Sequence, residues 1–328
     1  SIGLSPSEHM AAAPRITGTG FALRDPYPWG HLSGLARIGE SLGYRAMFMP
    51  EVGSRDVLAA LTGIAGETGE LLLGSGVLPL PARSPRLLAQ AGATVQDRSN
   101  GRLILGVGTG PAVRGALDRL RATVAMLRDA FAGETATTPE GEPFRLALVP
   151  ASPPPIWIAA LGPRAMRLAG AVGDGVLLNW CTPERVARAR VELDEGAAAV
   201  GRDPAEVSVG VYVRACVHAD AEAASLAVRA AAGQYASYPA YAHQFARMGL
   251  GDEAGRAAAA HAAARPADVP EHFVRAVAAL GDPAAARTRL EEYRSAGADL
   301  VVVYPVIVPG SALARGALTT LESLAPNG

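Results

Sequence analysis

Short apolar runs rich in Val, Ile and Leu alternate with helical patterns from one end of the chain to the other, the mark of consecutive βα units and a parallel sheet. These runs predict strands over residues 16–23, 46–50, 71–77, 103–108, 156–160, 175–179, 207–217 and 300–306. Eight such strands predict a closed (β/α)8 TIM barrel of the α/β class. Between them, Ser84-Pro85, Thr182-Pro183 and Asp282-Pro283 each set a capping side chain before a proline at the first helical position, where a missing N–H costs nothing. After Pro183, the residues Val186, Ala189, Leu193, Ala197 and Val200 fall on one helical face, as an outer-ring helix packed on a barrel requires.

Two stretches exceed a minimal barrel. Residues 133–155 are rich in Thr, Pro and Gly and read as a long loop or hairpin. Residues 220–281 are alanine-rich with a helical pattern, broken at 249–251 and 265–270, and read as a helical insertion before the last strand. The expected organisation is a single barrel over residues 14–328 with that insertion inside it. Residues 1–13 open on a polar, unpatterned stretch and are expected to be a tag or disordered segment.

A chain of 328 residues that is 49% hydrophobic can bury a full core, and barrels of about 250 residues plus insertions are common. A net charge of −1 without a basic stripe argues against nucleic acid. No apolar run reaches the roughly 18–20 residues a bilayer span needs, which leads to the expectation of a cytoplasmic protein with no membrane partner. All 30 basic residues are arginine, so Schiff-base chemistry and phosphate-loop ATPases drop out with the absent lysine. Cys181 and Cys216 lack ligand-spaced neighbours and read as buried small hydrophobes, while His31, His218, His243, His261 and His272 are scattered, so no metal is expected.

Barrel enzymes place their reactive groups at the C-terminal ends of strands. Gly106-Val107-Gly108-Thr109-Gly110-Pro111 lets backbone approach a ligand and leaves amides free. A dinucleotide fingerprint fails there, because Pro111 replaces the third glycine and Asp129 falls within a helix. Ala159-Ala160-Leu161-Gly162-Pro163-Arg164 opens a helix with small residues, suited either to a phosphate or to a tight turn. Gly74-Ser75-Gly76-Val77 marks a bulge, a close approach or a barrel corner. Glu51 emerges beside the barrel mouth, where it would hydrogen-bond a ligand or transfer a proton, and Arg55 and Asp56 fit pairing and capping of the next helix.

The segments LLLGSGVLPLPARSPRLLAQAGATVQDRSNGRLILGVGTG, PPIWIAALGPRAMRLAGAVGDGVLLN and DPAAARTRLEEYRSAGADLVVVYPV together resemble the luciferase-like monooxygenase superfamily over most of the chain after Ile16. AALGP followed by RLAGAVGDG, with Glu51 after the second strand, is more similar to the branch that uses coenzyme F420, which includes methylenetetrahydromethanopterin reductase. That resemblance implies a non-prolyl cis peptide at Gly76-Val77 behind the deazaflavin ring. It also implies Gly108, Thr109 and Gly110 along the cofactor, and Ala159, Ala160, Leu161, Gly162, Pro163 and Arg164 around its phosphate. Glu51 corresponds to an acidic position near the ring. Pro111 and Glu51-Val52 depart from the Glu and Asp-His of the sugar-phosphate dehydrogenase, which argues against oxidation of sugar phosphates. The arginine- and alanine-rich composition suits an actinobacterium.

The activity this implies is hydride transfer between F420 and a C=C, C=N or C–OH carbon of a small organic substrate. Glu51 is the proposed proton-handling residue, and Tyr27, Trp29, Trp180 and Tyr304 stand near strand ends. Tyr235, Tyr238, Tyr241 and Phe245 form either a lid or the insertion's own core. The alternatives are an FMN-dependent monooxygenase on the same fold, a non-catalytic F420- or flavin-binding protein, and a non-redox barrel enzyme that holds a substrate phosphate at 160–164. Family members are commonly dimers, so a homodimer is the assembly the resemblance allows.

Overall fold

The computed structural model describes residues 15–111 and 113–326, so the segment expected to be a tag or disordered lies outside the described residues. Its barrel strands are β1 (Gly18–Ala22), β2 (Ala46–Met49), β3 (Leu72–Ser75), β4 (Leu103–Gly108), β5 (Ile156–Ala159), β6 (Gly175–Asn179), β7 (Ser208–Ala215) and β8 (Leu300–Pro305). Each pairs in parallel with the next, and β8 pairs with β1 through Gly18 opposite Leu300, which closes the barrel. The outer ring comprises α1 (Trp29–Ser41), α2 (Val57–Ala65), α3 (Pro85–Arg98), α4 (Ala116–Phe131), α5 (Pro163–Val172) and α6 (Pro183–Ala198). The insertion supplies α7 (Ala221–Ala236), α8 (Pro239–Arg247), α9 (Gly251–Ala262) and α10 (Glu271–Val277), and the barrel resumes with α11 (Pro283–Ser295) and ends on α12 (Leu313–Ser323).

The barrel interior is packed rather than hollow. Phe48, Trp157 and Tyr212 fill it with Ile104, Leu300 and Val302. Their bulk explains glycines in neighbouring strands, since a Cβ at Gly74 would lie 2.3 Å from the Phe48 ring and one at Gly210 would lie 2.4 Å from Trp157. A second, larger core lies between strands and helices. Val186, Ala189, Leu193 and Ala197 of α6 enter it as the pattern predicts. Val200 does not, being 53% exposed beyond the helix end.

Thr182 and Asp282 cap α6 and α11 through the N–H groups of Arg185 and Ala285. Ser84 occupies the same position before Pro85, yet its hydroxyl makes no capping bond. Residues 133–155 contain a small antiparallel hairpin, Ala136–Thr137 against Pro143–Phe144. The insertion has its own core, where Phe245 meets Phe273 edge-on with ring centroids 4.8 Å apart and Trp180 and Cys216 join from the barrel. Cys181 and Cys216 are both free and buried.

Two strands end two residues sooner than the apolar pattern suggests, and β1, β2, β5 and β8 end one residue sooner. β3 stops at Ser75, whose hydroxyl bridges to β4 by accepting from the Gly106 N–H at 2.8 Å and donating to the Gly106 carbonyl at 2.9 Å. The following Gly76–Val77 peptide is cis, and pairing resumes only at Leu78–Pro79 beside Val107 and Gly108. β7 ends at Ala215 because the Val217 N–H is taken by Thr320 Oγ1 at 3.2 Å. No helix among the described residues is long and apolar enough to cross a membrane.

Candidate active site at the mouth of the barrel

A cavity of about 970 Å³ opens over the C-terminal ends of the strands, where a barrel carries its chemistry. One wall is rich in glycine. Gly76 and Val77 from the end of β3 line it, with Gly108, Thr109 and Gly110 from the end of β4. A Cβ on Gly76 would sit 1.7 Å from Tyr212 Oη, so only glycine fits between that hydroxyl and the cavity. The same hydroxyl donates to the Gly76 carbonyl at 3.0 Å and thereby ties β7 to the bulge across the barrel.

The wall continues through Ala159, Leu161, Gly162, Pro163 and Arg164 at the start of α5. Gly162 is the residue before the helix, and no side chain caps it. The first amides of α5 therefore retain capacity for an anion, and the helix dipole favours one there. A methyl on Gly162 would make only ordinary van der Waals contact, nearest to Arg247 Nη2 at 3.6 Å, so nothing crowds this turn. Ala160 is the exception among the expected residues: it is buried and does not line the cavity.

Glu51 lines the cavity too, but its carboxylate is already engaged. Arg83 grips both of its oxygens, with Nε at 2.9 Å from Oε1 and Nη2 on Oε2, and the Val57 N–H approaches Oε2 at 3.3 Å. Arg83 also reaches Asp56 at 3.0 Å, and these two carboxylates hold its guanidinium above its ordinary pKa. Both oxygens of Glu51 are thus taken up by donors of the protein, which fixes the carboxylate in place at the cavity wall. Asp56 caps α2 through the Ala59 N–H, and Arg55 pairs with Asp25 at 3.2 Å.

The facing wall is built from side chains. Asn179 ends β6, Tyr212 and Arg214 come from the second half of β7, and Tyr304 is the penultimate residue of β8, while Tyr235 and Tyr241 reach in from the insertion. Arg214 Nη1 donates to Asn179 Oδ1 at 2.8 Å, and Asn179 Nδ2 donates to Tyr241 Oη at 2.7 Å. Gln244 steadies the turn after β6 by donating to the carbonyls of Asn179 and Trp180 at 2.8 and 2.7 Å. Trp180 holds a left-handed φ of 49° there, a conformation that a bulky residue adopts only where its surroundings enforce it. Burial pushes the Tyr304 hydroxyl up to about 12 and the Tyr241 hydroxyl higher still, so both remain protonated donors at neutral pH.

The tyrosine run of the insertion therefore divides. Tyr235 and Tyr241 line the cavity, Phe245 belongs to the insertion core, and Tyr238 is 44% exposed. Tyr27 and Trp180 are buried and do not line the cavity, although Trp180 backs onto the lining residues Arg214 and Tyr235, and Trp29 is 42% exposed. Asn179, Tyr212, Arg214 and Arg247 were not singled out by sequence reasoning. A place at a strand end is a usable signal for Asn179 and Arg214, whereas Tyr212 lies mid-strand and Arg247 arrives from a helix with no such mark. Among the described residues, no cluster of His, Cys, Asp or Glu could hold a metal ion.

The family model described as luciferase-like monooxygenase matches residues 12–300. The chain belongs to this family. Among curated relatives of this luciferase-like protein, 5,10-methylenetetrahydromethanopterin reductase of Methanolobus tindarius is 32% identical over 203 residues, covering 58% of this chain and 61% of the reductase. F420-dependent hydroxymycolic acid dehydrogenase of Mycobacterium tuberculosis is 33% identical over 185 residues, 50% of each chain. These alignments thus span only half to three fifths of the relatives' length. The coenzyme F420 dependent tetrahydromethanopterin reductase from Methanopyrus kandleri superposes with a TM-score of 0.76 over 94% of this chain and 97% of its own, at 21% identity, and shares the luciferase-like barrel.

Proposed function

We propose that this chain is an F420-dependent oxidoreductase that moves a hydride between the deazaflavin and a carbon of a small organic substrate. The observation that carries the reading is a single cavity joining two features. A wall in which Gly76 and Gly108 flank Val77 would accept a flat ring at close range, and the uncapped start of α5 at Gly162 would accept a phosphate. Relatives whose names include F420 add support from both the sequence and the fold.

When bound, F420 supplies or accepts the hydride, and the protein contributes position, electrostatics and exclusion of water. Gly108, Thr109 and Gly110 would bear on the cofactor through backbone, and Leu161, Gly162 and Pro163 would cradle its phosphate beside Arg164. Ala160 would support that turn from behind, since it is buried. Glu51, fixed by Arg83, would present an acceptor at the edge of the ring site. The neutral hydroxyls of Tyr241 and Tyr304 are the groups available to hydrogen-bond a substrate oxygen.

Titration of the purified protein with F420 and, separately, with FMN, followed by tryptophan emission, tests the reading. Micromolar or tighter binding of F420 with FMN at least ten-fold weaker is expected. Preference for FMN would transfer the assignment to a flavin monooxygenase, and binding of neither would refute both.

A further inference from the structure

Two arginines of this barrel are almost wholly buried, and they are treated in opposite ways. Arg185 is 5% exposed and donates to Glu192 at 2.8 Å, the usual solution for a buried charge. Arg214 is 4% exposed and pairs with no carboxylate among the described residues. Its hydrogen bonds go to neutral oxygens, Asn179 Oδ1 at 2.8 Å and Tyr235 Oη at 3.5 Å. A guanidinium carries five N–H donors, so most of this group's donor capacity is unspent.

The faces of the guanidinium are covered instead by rings. Its carbon lies 3.7 Å from the Tyr304 centroid and 4.9 Å from that of Trp180, with Tyr235 and Tyr212 at 5.4 and 5.7 Å. Such stacking fixes the plane of the group and leaves its edge as the route for hydrogen bonding. Arg214 also lines the cavity, and Asn179 and Tyr241 present polar atoms to the same space. A stacked, buried cation of this kind, without a counter-ion of its own, is a charge waiting for a ligand's charge.

We infer that Arg214, with Asn179 and Tyr241, forms a carboxylate-binding subsite, and that the substrate of this enzyme carries a carboxylate. The inference rests on the oxidoreductase reading for its assignment to the substrate. A planar carboxylate matches a single guanidinium in charge and in its paired oxygens, and neutral donors beside it complete its coordination. Phosphate recognition is provided elsewhere in the cavity, by the start of α5.

The test compares acids with their uncharged amides. Acetate, crotonate and cinnamate are titrated against acetamide, crotonamide and cinnamamide on the unsubstituted chain, with tryptophan emission as readout, since Trp180 stacks on Arg214. The expected result is that at least one acid binds ten-fold or more tightly than its amide. Arg214→Gln should abolish that preference and Arg214→Lys should restore part of it. Equal affinity of acid and amide, or no binding of either, would overturn the inference, whatever the variants do. Displacement of the bound acid by inorganic phosphate would also overturn it, as would competition between the acid and F420, which would assign the subsite to the cofactor. F420 binding measured in the same buffer keeps the two claims apart. F420 binding without acid preference sinks the subsite alone, and acid preference without F420 binding supports the subsite and sinks the F420 reading.

Discussion

The two walls of the cavity are made by different means. The wall from β3 to α5 offers backbone, small residues and an uncapped helix start, and the wall from β6 to β8, with the insertion, offers an arginine, an asparagine and four tyrosines joined by hydrogen bonds and stacking. Backbone recognition suits a ligand that is always the same, because it depends on chain geometry and tolerates little change. Side-chain recognition suits a ligand that differs between relatives, because one substitution alters it while the barrel stands. On the proposed reading the first wall is the cofactor's and the second is the substrate's.

The severest challenge to the backbone wall is Gly76→Ala, whose Cβ would fall 1.7 Å from Tyr212 Oη. It should destabilise the fold by about 3 kcal/mol, read as a lower denaturation midpoint at unchanged m-value. Tyr212→Phe in the same chain should return only part of this, since the ring carbon beneath the hydroxyl is itself 2.9 Å away. Glu51→Gln should cost about 2 kcal/mol by leaving Arg83 with Asp56 alone, and F420 affinity should fall about ten-fold if Glu51 positions the ring.

Gly162→Ala separates recognition from stability more sharply. Its methyl has room, so unfolding should change by less than about 0.5 kcal/mol. F420 binding should nevertheless weaken by about 1.4 kcal/mol, ten-fold, because the methyl occupies the cradle. On the other wall, Tyr241→Phe removes the acceptor of the Asn179 amide and should cost about 1 kcal/mol without altering F420 affinity.

The opposite end of the barrel provides a control unrelated to either wall. Burial raises the Glu40 carboxyl, but the amides of Glu70, Leu71 and Gly69 and the charge of Arg102 outweigh it and hold the group below its ordinary value of 4.5. A depressed folded pKa contributes stability that is present above the unfolded value and is lost as pH falls through the folded one. Glu40→Gln should therefore cost about 0.5 kcal/mol at neutral pH, after solvent screening, and nothing in acid below that folded value.

The backbone wall was legible in the sequence because its signals are local. Glycines at strand ends, and small residues followed by proline at a helix start, state their geometry within a few positions. The broken end of β3 was less legible, since the run from Leu71 to Val77 is apolar enough to continue and only the Ser75–Gly106 bridge and the Gly76 turn stop it. The side-chain wall was nearly invisible. Arg214 sits in a strand where alternation alone cannot tell an interior cation from a surface one, and its partners lie 35 residues away at Asn179 and 21 away at Tyr235. Tyr235 and Tyr241 shared a helical pattern with Phe245, yet only closure of the insertion over the mouth sends the first two into the cavity and the third into its own core.

The most direct test of the central claim is a crystal structure of this protein with F420 bound, read for one distance, that from the cofactor's phosphate oxygens to the backbone nitrogens at the start of α5. The account predicts hydrogen-bonding distance there, with the ring against Gly76 and Gly108 and no cofactor group on Arg214. A phosphate seated on Arg214, or a ring lying outside the Gly76–Gly108 wall, would contradict it.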